Sequence, residues 1–183
     1  MSSEPIRPFQ DARELLKPRL AAAARGDADQ LGKMALTYRV SGGPPGKRLF
    51  MELRLSAKGK VTYEHRDELH GKKTIRRKMI LPEDQTISLL RQVHESGMLD
   101  LRDTGGGFLP DSTIAAIVIE SDGSQVSYYF LAEEHQQRSQ NKEPPPPIRE
   151  LKRKFDSLGE TMRKVTSEKT PAPNKGKKRR GGK

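Results

Sequence analysis

From Met34 onward, apolar and polar residues alternate with the period of two that marks strands with one buried face. Leu36 to Val40 (LTYRV) runs into the turn-rich SGGPPG of Ser41 to Gly46. Leu49, Met51, Leu53 and Leu55 then alternate with Glu52 and Arg54, Ala57 to Gly59 turns the chain, and Val61, Tyr63 and His65 alternate again. This is a hairpin, and it puts His65 on the Val61 and Tyr63 side as a partly buried, hydrogen-bonded histidine. Lys72 to Ile80 fits a further strand, whose charges suit a solvated edge. Pro82, followed by Glu83 and Asp84, opens a helix with Ile87, Leu90 and Val93 at helical spacing and Gly97 at its C-terminal cap.

Ser112 to Glu120 (STIAAIVIE) is apolar on both faces, Asp122-Gly123 is a two-residue hairpin signal, and Val126 to Leu131 returns. The reading is two central strands, the first covered by helices on one side and by loops or a partner surface on the other. Pro144 to Pro147 is a stiff spacer before a last helix, in which Ile148, Leu151, Phe155, Leu158, Met162 and Val165 form one stripe. Gly159 interrupts that stripe, so its Met162 to Val165 end is expected to project. The first 33 residues hold one apolar cluster, Leu15, Leu16 and Leu20. A short helix capped by Asp11 fits there, but Pro18 would kink or interrupt it, and the arm is expected to be mostly disordered. The pattern predicts an α+β domain over 34–160, a small antiparallel sheet of about five strands with two packed helices. It lies between a disordered arm, 1–33, and a disordered basic tail, 161–183.

Composition narrows the function. None of the 183 residues is cysteine, which excludes a disulfide scaffold, a thiolate metal site and a cysteine nucleophile. No run approaches the roughly 20 apolar residues of a membrane span, and an intracellular protein is expected, nuclear in a eukaryote and otherwise cytoplasmic. The net charge of +11 is unevenly spread: residues 161–183 carry nine Lys or Arg and one Glu, whereas residues 41–143 carry fifteen of each sign. The domain is therefore balanced and the tail is basic.

Candidate chemistry is sparse. His65, His70, His94 and His135 are scattered, with no i, i+4 pair to hold a metal. Gly42 to Lys47 (GGPPGK) is one residue short of a phosphate loop, and Arg48 replaces its Ser or Thr. An active site built on loop carboxylates would have to join Asp103 or Asp111 to His65 or His94. The expectation is a protein without catalytic residues, cofactor or metal. The basic tail gives the strongest signal: Arg163 and Lys164, twelve residues, then Lys177, Lys178, Arg179 and Arg180. This bipartite pattern suits a nuclear import receptor or nucleic-acid phosphates, and also a solubilising extension. Lys72, Lys73, Arg76, Arg77 and Lys78 form a second candidate phosphate contact, without interleaved aromatics.

The order of a strand ending in SGG, a hairpin, LPEDQTISLLRQV leading to GMLDL, PDSTIAAIVIESDG with its return strand, and PPPPIRELKRKFDSL resembles the emfourin family of small bacterial metalloprotease inhibitors. The likeness spans about Leu36 to Leu158 and rests on short motifs; the longer basic hairpin region, the arm and the lysine-rich tail depart from it. It implies an α+β layout and carries over no inhibitory residue; a protease inhibitor built on this chain would act through an exposed loop such as Ser41 to Gly46 or Gly105 to Asp111. The residues themselves point to a non-catalytic adaptor that binds a protein partner, its tail serving nuclear import or nucleic-acid contact. Inhibition of a metalloprotease and catalysis by loop carboxylates are the alternatives.

Overall fold

A computed structural model describes residues 11–56, 59–69, 71, 74–101, 111–132 and 144–164. Six strands, β1 (Met34–Gly42), β2 (Leu49–Ser56), β3 (Lys60–Asp67), β4 (Ile75–Ile80), β5 (Thr113–Ser121) and β6 (Ser124–Leu131), form one sheet in the order β4-β3-β2-β1-β5-β6. Every neighbouring pair is antiparallel. Among the described residues the α-helices are α1 (Ala12–Ala24), α2 (Ala28–Lys33), α3 (Glu83–Glu95) and α4 (Pro146–Lys164).

The α+β class and the antiparallel sheet are as the alternation predicts, with six strands in place of about five and four helices in place of two. The charged segment contributes the edge strand β4, beginning at Ile75. The last two strands are not both central, since β6 closes the opposite edge. The hairpin signal between them is real: Asp122 and Gly123 have φ of 46° and 75°, both positive as a two-residue turn of this kind requires.

The arm is the largest departure. Asp11 caps α1 by accepting from Arg13 N at 3.0 Å, and the helix runs through Pro18 without ending. Pro18 lacks the N–H that would reach the carbonyl of Glu14, but it stands between Leu16 and Leu20, both completely buried. Burial of those leucines, with Ala23 and Ala24, offsets the missing bond. Asp27 caps α2 in turn, accepting from Gln30 N at 3.0 Å. An arm expected to be mostly disordered is thus folded onto the core from Ala12 to Lys33.

Alternate residues of the strands share a single core with the helices. Leu36, Tyr38 and Val40 of β1, Leu53 and Leu55 of β2, Val61 and Tyr63 of β3, and Ala115, Ile117 and Ile119 of β5 pack with Leu20, Leu90, Val93, Leu151 and Phe155. The Tyr38 and Phe155 rings stack, their centroids 5.1 Å apart, which sets α4 against the centre of the sheet. Met162, expected to project, is 1% exposed, and α4 continues through Gly159 to Lys164. A Cβ at Gly159 would lie 3.2 Å from Met51 Sδ and 3.5 Å from Tyr63 Cε2, so the glycine lets the helix approach the sheet instead of breaking it.

Candidate functional site

Because the helices engage one set of alternate residues, the other set forms a second sheet face. Thr37 and Arg39 of β1 share it with Arg54 and Glu52 of β2 and with Val118 and Ala116 of β5. The register extends it to Thr62 and Glu64 of β3, Lys78 and Arg76 of β4, and Ser127 and Tyr129 of β6. Its β5–β6 part is a shallow depression of about 620 Å³ with Ile114, Ala116, Val118 and Tyr129 in its lining. Tyr129 is 42% exposed.

Charge surrounds the apolar strip. Arg39 Nε and Nη2 donate to Glu52 Oε2 at 2.9 and 2.6 Å, and Arg54 Nη2 lies 3.4 Å from Glu120 Oε2. Glu64 accepts from Arg66 Nε at 2.9 Å and from Arg76 Nε at 3.0 Å. These two hydrogen bonds, Arg66 first, hold the Glu64 carboxyl below its usual range. Arg66 also lies over the Phe50 ring, 5.8 Å from its centroid.

The helix side of the sheet holds a separate cavity of about 310 Å³ where the second half of α4 crosses β1 to β3. One wall is a hydrogen-bonded chain in which Asp156 Oδ1 accepts from the Tyr38 hydroxyl at 2.8 Å and Oδ2 accepts from Lys152 Nζ at 2.7 Å. Burial, reinforced by the Asp156 carboxylate, pushes the Tyr38 phenol far above its ordinary value. Facing this wall, His65 is 7% exposed and stacks on Tyr63 with centroids 6.3 Å apart. Burial raises the Tyr63 phenol too, and the nearby Arg163 guanidinium opposes the rise.

The residues singled out from sequence are dispersed. Arg76 and Lys78 project onto the open face, Arg77 points to the helix side, and Lys72 and Lys73 lie outside the described residues. Arg163 and Lys164, assigned to the tail, form the last turn of α4, and Arg163 lines the cavity. Lys177, Lys178, Arg179 and Arg180 lie outside the described residues, as do Asp103, His70, His135 and the loop from 105 to 110. His94 is exposed near the end of α3, away from the cavity that contains His65, and Asp111 lines neither the cavity nor the open face. Among the described residues no cluster of three metal-ligating side chains occurs, and no helix is long and apolar enough to cross a membrane.

Sequence reading missed the Tyr38, Asp156 and Lys152 chain, because Tyr38 and Asp156 are joined only by the tertiary fold. The open face had one visible trace, the two-sided apolarity of Ile114 to Ile119. No protein-family model and no curated protein sequence matches the chain. Among solved structures, an OsmC-like hydroperoxide resistance protein from Jannaschia sp. is similar over 74% of this chain and 90% of that one, at 8% identity. Its TM-score of 0.19 is too low to transfer either fold or function.

Proposed function

We propose that this chain is a non-catalytic adaptor that docks a protein partner on its uncovered sheet face, while its basic tail contacts an import receptor or nucleic-acid phosphates. The observation that carries the reading is the strip of Ile114, Ala116, Val118 and Tyr129 on the face that no helix covers among the described residues, with Tyr129 42% exposed. A partly exposed apolar strip edged by Arg and Tyr is the composition of a protein interface centre and rim. The face carries Arg39, Arg54, Lys60, Arg66, Arg76 and Lys78 against Glu52, Glu64 and Glu120, an excess of three positive charges. It therefore complements a partner with an apolar anchor and an acidic rim. A nucleic acid fits this face less well, because its phosphates would meet three carboxylates already paired with arginines.

A photo-reactive residue in place of Tyr129 tests the docking face, with one in place of the exposed Arg91 on α3 as control. The expected result is a discrete adduct to another protein from position 129 only, lost when Val118→Asp is added. Absence of an adduct, or the same adduct from position 91, refutes the docking face; an adduct of two copies of this chain replaces the adaptor reading with self-association. Deleting Lys175 to Lys183 should leave the adduct intact and weaken retention on a polyanion at low salt. Unchanged retention removes the tail from the mechanism.

A further inference from the structure

The cavity beneath α4 plays no part in the docking face, yet its groups form a set that structure alone does not require. Val40, Leu49 and Met51 give it an apolar floor. The Asp156 carboxylate is internally satisfied by Tyr38 and Lys152, which makes that wall rigid. At the mouth stand Glu160 and Arg163, one helical turn apart on the same face of α4. Among the described residues neither takes part in an ion pair or hydrogen bond, with each other or with anything else, and the Tyr63 hydroxyl has no hydrogen-bond partner. A cation, an anion and a phenol thus converge unpaired on a small apolar-floored space.

We propose that this cavity binds a small zwitterion with an apolar body, the chemistry of a free apolar α-amino acid. The ligand's carboxylate meets Arg163 and the Tyr63 hydroxyl, its ammonium meets Glu160, and its side chain lies on Met51 and Leu49. The i, i+3 spacing puts the two opposite charges side by side at the mouth. A volume of about 310 Å³ lies at the lower end of ligand pockets, enough for one such molecule. Gly159 is a gate on size, since the cavity wall at this point is helix backbone and a side chain there would press toward Met51 and Tyr63.

The test is calorimetric titration of the full chain with L-phenylalanine, L-leucine and L-methionine, alongside 3-phenylpropionate and phenethylamine, which each lack one charged group. Saturable binding of at least one amino acid is expected, with each single-charge analogue about tenfold weaker. Arg163→Gln should weaken the amino acid by about tenfold and leave phenethylamine unchanged; Glu160→Gln should do the reverse with 3-phenylpropionate as the unaffected ligand. Both side chains are exposed, so these variants keep the fold, which an unchanged thermal transition verifies. No saturable binding up to millimolar amino acid, equal affinity for the three phenyl compounds, or indifference to both substitutions overturns the assignment. None of these outcomes depends on the docking face, whose own test is the adduct at position 129.

Discussion

Tyr38 joins packing to ionisation. Its ring stacks on Phe155 and its hydroxyl donates to Asp156, inside a core where the phenolate is strongly disfavoured. Released from the fold, the same phenol ionises near its ordinary value of 10.0. Above that pH the unfolded chain binds fewer protons than the native one, so stability falls as pH rises, by about 1.4 kcal/mol per pH unit from this group. Tyr38→Phe should flatten that decline between pH 10 and pH 11 in urea titrations, while weakening the protein near neutrality because Asp156 loses the hydroxyl that donates to it and keeps only Lys152; an identical slope in both proteins contradicts the account. Glycines give a second contrast. Gly42 has φ of 128°, and a Cβ there would meet Ser112 O at 2.1 Å, so Gly42→Ala should cost more than about 1 kcal/mol. Gly32, inside α2 with nothing within 4 Å, should gain roughly 0.5–1 kcal/mol as Ala. Opposite shifts in the urea midpoint are the check. Of the residues around the cavity, His65 was placed correctly on the buried side of its strand, because period-two alternation is local. The convergence of Tyr38, Asp156 and Arg163 was invisible, because no local pattern encodes which face of a distant helix meets which strand.

Element by element, success followed the strength of the repeating pattern. The alternation of β1 to β3, the Asp122-Gly123 turn, and the spacing of α3 and α4 each carry their own signal and were legible. Gly97, with φ of 66° just beyond α3, ends that helix in the left-handed conformation its sequence position suggests. α1 was obscured by a proline and by a stripe only one leucine wide, since alanines supply the rest of its buried surface. Tertiary burial overrode the local objection. Leu20→Ala should therefore cost about 2–5 kcal/mol in chemical denaturation, as a core leucine does. A loss of a few tenths would restore the picture of a dispensable arm. Gly159 misled in the opposite sense: a residue that weakens isolated helices here leaves room for Met51 and Tyr63 of the sheet.

At the scale of the molecule, β1 holds the two halves of the sheet together, with β2 to β4 on one side and β5 to β6 on the other. Its pairing with β5 matches Leu36 with Ile119 and Val40 with Ala115, contacts distant in sequence, while its pairing with β2 is a local hairpin. A fragment ending at Leu101 retains α1 to α3 and β1 to β4 but lacks β5, β6 and α4. That fragment should show no cooperative thermal transition, and a sharp one would mean that the first half is a unit in itself. The uncovered face, whose strip comes from β5 and β6, would then be an addition to a finished body. During synthesis, β1 leaves the ribosome with its hairpin partner but waits for β5 with one edge of hydrogen-bonding groups bare. The growing chain is then open to pairing with a stray strand until β5, ending at Ser121, has been made.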